Sequence, residues 1–292
     1  MADYEQQARK NIKEAQKRLN SWSLPFIGSL NSSRYEEAAE LYEKAGNIFK
    51  LAQQWKNAGD AFTEAAVLFM RGNGAKFEGS RAYDNAAKSY KRIDPKAAIT
   101  ALEAAVKLDQ EGGNFRSAAR HYQDIAELYE NELNRPNDAF KTYKEAANLY
   151  LADESPALAN KCLLKVAQIS ADLEDYPTAI EKYEQVAAAS ADDPLLKWSL
   201  KEYFLKAGLC HLCTDDTVKT SQALANYCNM DVSFESTREY ALLRGIIDCV
   251  NQGDIERFTQ IVYDYDKLTR LDAWKTAVLL KIKKAIDCED LR

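Results

Sequence analysis

Cys210-His211-Leu212-Cys213 is the one cysteine pair in this sequence at the spacing of a dithiol redox motif or of half a zinc site. A structural zinc site wants four ligands, and the only other histidine is His121. A thioredoxin-like pair wants a βαβ context, whereas this one follows Tyr203, Phe204, Ala207 and Leu209, a helical run of apolar residues. The spacing therefore predicts small, reduced, buried side chains, and the same holds for the other cysteines at 162, 228, 249 and 288. Arg71-Gly72-Asn73-Gly74-Ala75-Lys76 has a superficial likeness to a phosphate loop but lacks the P-loop spacing and its Lys-Ser/Thr end. It reads as a turn. Two histidines leave little for a triad or a metal centre, and the 45 acidic residues read as solvated helix faces. No catalytic residue, metal ligand or cofactor is expected, and the chain is not expected to be an enzyme.

The remaining chemistry is that of recognition. Arg120, Lys161, Lys165, Lys197 and Lys201 form a basic set, in which Lys161/Lys165 and Lys197/Lys201 are each four apart and so project from one side of a helix. If successive helices place such positions side by side, the pairs merge into a basic stripe on a chain whose net charge is −6, suited to an acidic helical partner. Trp22, Leu24, Pro25, Phe26, Ile27, Gly28 and Leu30 lie in a charge-free segment from Asn20 to Ser33. That segment either tucks against the first helical hairpin or forms an apolar tip that dips into a bilayer interface. The end, Asp287-Cys288-Glu289-Asp290-Leu291-Arg292, is either a frayed terminus or a short docking tip.

The elements that carry these residues are written in a repeat of about twenty residues. Ala38, Tyr42, Ala45 and Phe49 begin it, followed by Ala58, Phe62, Ala65 and Phe69, then Gly79, Tyr83, Ala86 and Tyr90. Ala97, Ala101, Ala104 and Leu108 come next, then Ala118, Tyr122, Ile125 and Tyr129, then Ala139, Tyr143, Ala146 and Tyr150. Weaker copies start at Ala159 and Ala179. Each set lies on one helix face with a small residue beside a large one. Two blocks make a hairpin of about 40 residues, close to the tetratricopeptide (TPR) length. Turns are signalled at Asn73-Gly74, Asp94-Pro95, Gly112-Gly113, Arg135-Pro136, Ser155-Pro156 and Tyr176-Pro177.

The expectation is an all-α protein: a twisted array of TPR-like antiparallel helical hairpins capped by a C-terminal helical bundle. Residues 1–190 hold an N-terminal helix (2–19), the apolar loop (20–33) and the array; residues 191–292 hold the bundle and the acidic tail. Bundle helices are expected at about 195–213, 217–228, 235–252, 254–267 and 272–287. Asp272 is expected to cap the last one, burying Trp274, Val278, Ile282 and Ala285. With 46% hydrophobic and 29% charged residues there is ample core material, and 11 glycines and 6 prolines are too few for a β-rich fold. The acidic balance argues against nucleic acid. No stretch approaches a membrane span and the N-terminus lacks signal-peptide features, so a cytoplasmic protein is expected.

The chain resembles the soluble NSF attachment proteins, most closely the α type, along nearly its whole length. The resemblance rests on Ala159-Asn160-Lys161-Cys162-Leu163-Leu164-Lys165-Val166-Ala167 and Tyr203-Phe204-Leu205-Lys206-Ala207-Gly208-Leu209-Cys210-His211. Ser236-Thr237-Arg238-Glu239, Arg270-Leu271-Asp272-Ala273-Trp274 and the ending Glu289-Asp290-Leu291-Arg292 add to it. The resemblance implies an adaptor that wraps the SNARE four-helix bundle and presents it to the hexameric AAA+ ATPase NSF. It implies SNARE contacts at Arg120, Lys161, Lys165, Lys201 and Arg238, to which the basic set adds Lys197. Asn114 stands where relatives often carry Arg, and Arg116, two residues on, is the candidate for that contact. It implies membrane contact by Trp22, Leu24, Phe26, Ile27 and Leu30, and NSF contact by Asp215, Asp248, Glu289, Asp290 and Leu291. Neither nucleic acid nor a small-molecule substrate is implied. The alternative is a TPR-type scaffold or co-chaperone that clamps peptide tails, which needs Lys and Asn side chains converging in one groove.

Overall fold

Each block of the rhythm becomes one helix. The structure is a computed structural model that describes residues 2–20, 28–72, 74–191, 193, 196–214 and 216–289. Among the described residues there are fourteen α-helices, one 3-10 helix and no strand. They are α1 (Ala2–Asn20), α2 (Gly28–Leu51), α3 (Trp55–Arg71), α4 (Lys76–Tyr90), α5 (Pro95–Glu111), α6 (Phe115–Asn131) and α7 (Pro136–Ala152). Then come α8 (Pro156–Asp172), α9 (Tyr176–Ser190), α10 (Lys197–Leu212), α11 (Thr217–Met230), α12 (Arg238–Gln252), α13 (Ile255–Leu268) and α14 (Ala273–Glu289). The 3-10 helix, Val232–Ser236, precedes α12. Among the described residues no helix is long and apolar enough to cross a membrane.

The starts and stops follow from local chemistry. Pro95, Pro136 and Pro156 open α5, α7 and α8, where a missing N–H is harmless. Asp94 accepts hydrogen bonds from the amides of Lys96 and Ala97, and Asp272 from that of Lys275 at 2.7 Å, the expected cap. Most array turns pass through a left-handed residue: Gln53, Asn134, Glu154 and Glu174 have φ of 59°, 50°, 54° and 62°.

The chain divides into two compact units, Met1–Cys162 and Leu163–Arg292. In the first, every helix from α1 to α7 packs on the next. Ala58, Ala65 and Ala86 are fully buried, with Phe62 and Phe69 filling the space beside them. In α5 the buried stripe is centred one residue from the expected phase. Ala101 and Leu108 of the expected set are buried, but Ala97 and Ala104 are only half-buried and Ala98, Leu102 and Ala105 are buried instead, because α5 carries apolar residues on adjacent positions and the packed face turns to include Ile99 and Leu102.

In the second unit α10 is the hub, packed by α9, α11, α12 and α14. Leu200, Phe204, Leu205 and Leu209 are all fully buried. Phe204 stacks on Tyr227 (centroids 4.6 Å apart) and meets Phe234 edge-on at 5.0 Å. Glu184 accepts from the Tyr227 hydroxyl at 2.6 Å and lies 3.1 Å from His211 Nε2. Burial pushes that carboxyl up, but the His211 and Tyr227 hydrogen bonds outweigh it and hold it below the ordinary value.

Two expectations are corrected. The segment 20–33 is not loop throughout, since α2 begins at Gly28 and carries Leu30 in its first turn. A long amphipathic helix extends upstream when nothing in Ser29-Leu30-Asn31-Ser32-Ser33 breaks it, and the Ser33 hydroxyl donates to Glu37 one turn on. On α14 the buried residues are Val278, Leu279, Ile282 and Ile286, with Trp274 half-buried and Ala285 exposed. The larger Ile286 takes the place expected for Ala285.

The left-handed turns yield a stability test. A Cβ in that region costs about 1–2 kcal/mol, and glycine removes it at an entropic cost of about 0.5–1 kcal/mol. Gln53 and Glu154 are exposed. The double variant Gln53→Gly/Glu154→Gly is therefore expected to gain about 1 kcal/mol in denaturant unfolding. A loss of stability would show that these turns are held by their side chains.

Candidate functional site

Arg116 and Arg120 lie one turn apart on α6, which is seated by the fully buried Ala118 and Ala119. The Arg116 Nε donates to Asp153 Oδ2 at 2.9 Å and its Nη2 to the Ser155 hydroxyl at 2.6 Å, so this guanidinium is tied to the α7–α8 turn. Its side chain is still largely exposed. Arg120 leans on Asp84 of α4, Nη2 to Oδ2 3.7 Å. Lys161 and Lys165 are exposed one turn apart on α8, and Lys161 has no ion-pair partner among the described residues.

The second unit presents Lys197, Lys201 and Arg238. Lys197 Nζ lies 3.5 Å from Asp231 Oδ1 and Lys201 Nζ 3.6 Å from Glu239 Oε1. Both acids are buried and both lysines are about half exposed. Arg238 is exposed and has no ion-pair partner among the described residues. Lys197 opens α10, Arg238 opens α12 and Arg116 is second in α6. A cation at the positive end of a helix is unfavourable by about 0.3–1 kcal/mol. These three residues break a local rule where the chain meets solvent, a pattern expected of binding surfaces.

Around Lys197 and Lys201 lies a groove of about 440 Å³, lined also by Trp198, Asp231, Ser236 and Thr237. Trp198 is 82% exposed and Val232, in the 3-10 helix, 81%. The sequence reading missed both. The signal for Trp198 was its helical phase: it falls with Lys201 and Glu202, opposite the buried Leu200 and Phe204.

The remaining predicted residues divide sharply. Asp248 is half-buried on α12 and lies 3.6 Å from Arg244. Leu30 and Glu289 are helical in backbone, in the first turn of α2 and at the end of α14. Trp22, Leu24, Phe26, Ile27, Asp215, Asp290 and Leu291 lie outside the described residues.

Two of the buried thiols are set back from ionisation. None of the five described cysteines is in a disulfide. Burial pushes the Cys210 thiol far up, helped by its neighbour Cys213, and burial lifts Cys162 to about 11. Thiolate, the reactive form, is scarce at both.

A family model described as "Soluble NSF attachment protein, SNAP" matches residues 6–287. The chain is 40% identical over 291 residues to the alpha-soluble NSF attachment protein of Vitis vinifera, covering 100% of this chain and 98% of that one. It is 41% identical over 287 residues to the beta-soluble NSF attachment protein of Bos taurus, covering 98% and 95%. It is 40% identical over 291 residues to the probable vesicular-fusion protein sec17 homolog of Schizosaccharomyces pombe, covering 99% of each.

The groove's electrostatics are testable by pH. Burial raises the Asp231 carboxyl, but the hydroxyl and amide of Ser233 together with Lys197 outweigh it and hold it below its ordinary 3.8. A depressed acid stabilises the fold above its unfolded value and loses that contribution as pH falls through the folded one. Asp231→Asn is expected to cost about 1 kcal/mol at neutral pH, with the gap from wild type closing in strong acid. Denaturant midpoints at the two pH values measure it, and an equal gap at both would assign Asp231 a shape role rather than a charge role.

Proposed function

The chain belongs to the soluble NSF attachment protein family, a family of non-enzymatic adaptors, and from that membership we propose that it links assembled SNARE complexes to the AAA+ ATPase NSF in vesicle fusion. The full-length family match carries the reading. The exposed cations support it. Arg116, Arg120 and Lys161 in the first unit, and Lys165, Lys197, Lys201 and Arg238 in the second, meet the acidic surface of the SNARE four-helix bundle. Lys161 and Arg238, which lean on no acid of their own, supply net attraction. Arg116, Arg120, Lys197 and Lys201 are positioned by acids and exchange them in part for the partner's. Trp198 adds apolar contact beside the lysines, as aromatic residues do at binding surfaces.

Trp22, Leu24, Phe26, Ile27 and Leu30 touch the bilayer and act only when other contacts hold the protein there. Asp215, Asp248, Glu289 and Asp290 face NSF, and Leu291 enters an apolar spot on it. ATP hydrolysis belongs to NSF, so this chain stimulates a partner and catalyses nothing itself. It acts in the cytoplasm at membrane surfaces.

Two variants separate the two ends of the adaptor. Lys161→Glu/Lys165→Glu exchanges two attractions of about 0.2–1 kcal/mol each for repulsions, so SNARE-bundle affinity is expected to fall roughly tenfold or more with helical content unchanged. Unaltered binding would remove α8 from the contact. Leu291→Ala is expected to keep SNARE binding and thermal stability but to lose stimulation of NSF ATPase and SNARE release at matched occupancy. Full stimulation by that variant would reduce Leu291 to a frayed end.

A further inference from the structure

Beneath Arg120, in the first unit, acidic side chains converge on the only histidine of α6. Asp84 comes from α4, Asp109 from α5, and His121 and Asp124 from α6. His121 is 1% exposed, Asp109 2% and Asp84 7%. His121 Nε2 lies 3.3 Å from Asp109 Oδ2, and Nδ1 faces Asp84 Oδ1 at 3.9 Å. One ligand atom from each of Asp84, His121 and Asp124 lies within 4.8 Å of the others.

The ring is underserved by this arrangement. His121 Nδ1 and Asp109 Oδ2 are both buried without a hydrogen-bond partner. The Asp109 approach is close but off-line, and 3.9 Å is too long for a bond between Nδ1 and Asp84. A buried polar atom left so costs about 1–3 kcal/mol. Two atoms each about 2.1 Å from one ion stand about 3.4–4 Å apart, so the gap that is too long for a proton suits a metal. Charge points the same way. Lys88 Nζ, 2.6 Å away, and Arg120 take Asp84 Oδ2, leaving Oδ1 free to face His121. Three carboxylates then stand with two cations around the His121 ring.

We propose that Asp84, His121 and Asp124 bind a divalent first-row transition ion of the zinc type, joining α4 to α6. One imidazole and two carboxylates are ligands of borderline hardness, which suits zinc more than calcium or magnesium. Three protein ligands leave a fourth position for water. Asp109 is the outer partner: with Nε2–H turned toward it, the lone pair on Nδ1 faces Asp84 and Asp124, the carboxylate–histidine–metal arrangement that fixes the tautomer. Asp124, half-buried, gives the ion its way in from solvent. This site includes no thiol and does not depend on the adaptor reading.

The test uses the full chain after chelator treatment, titrated with cobalt(II) as a spectroscopic probe and then with zinc in competition. One cobalt per chain is expected, with visible bands of nitrogen and oxygen ligation, no thiolate charge-transfer band, and a rise in melting temperature. Asp124→Asn and His121→Asn are expected to weaken uptake at least tenfold, and Asp109→Asn about 10–100-fold, with circular dichroism unchanged. Asp124 is only half-buried, so its variant decides the matter if the His121 variant fails to fold. The proposal is overturned by absence of stoichiometric uptake, by a thiolate band, or by uptake unaltered in Asp124→Asn. Stabilisation on mild acidification without metal uptake would also overturn it and assign the cluster to a protonated His121.

Discussion

Helix spacing is the constraint on which everything else hangs. At the tightest crossings a helix has no room for a side chain. A Cβ on Gly59 would stand 2.4 Å from the Tyr90 ring, one on Gly79 2.9 Å from Leu108, and one on Gly208 2.6 Å from Leu243. Small residues on each helix therefore sit against large ones from its neighbours, and the core is a succession of local fits rather than one central mass. Surface residues inherit their positions from these fits. Arg116 and Arg120 stand where they do because Ala118 and Ile125, on the opposite side of α6, are buried to within 2%.

An acidic chain can still present cations if their counter-charges are placed inward. Asp84, Asp231 and Glu239 are all buried, while the Arg120, Lys197 and Lys201 side chains that lean on them are about half exposed. The acids orient the cations, and at Lys197, which opens α10, Asp231 also offsets the cost of a cation at the positive helix end. Net charge thus says little about which partner is met, because a partner feels the local surface. The same inward placement explains how Asp84 serves two neighbourhoods at once, with one oxygen toward Lys88 and Arg120 and the other toward His121.

Features written as periodicity were legible in the sequence. The alternation of Ala with Phe or Tyr located the helices, prolines located their starts, and the i, i+4 lysines were found on exposed faces. Features that depend on what a neighbouring helix supplies were not. The phase of α5 slipped because Ala97 and Ala98 are equally plausible from composition, and only the neighbours choose between them. Ala285 gave way to Ile286 for the same reason. The cluster of Asp84, Asp109, His121 and Asp124 has no spacing signature, since its members come from three helices, and a lone histidine on an amphipathic helix reads as core. Trp198 was legible in principle, but the lysines on either side drew the reading toward charge alone.

For an adaptor of the kind proposed, weak contacts are a requirement. An exposed ion pair contributes about 0.2–1 kcal/mol, so the handful of cations on one copy holds an acidic bundle only loosely. Avidity from several copies and from a membrane touch multiplies these into a useful grip, and the grip vanishes when the bundle that organises the copies is pulled apart. A deep apolar pocket would bind more tightly and would also retain its product. Half-exposed cations leaning on internal acids, with a groove beside Trp198, are chemistry of the loose kind. For such contacts to act together the cations must keep their register along the helices, and the small-against-large packing that sets the helix spacing is what fixes it.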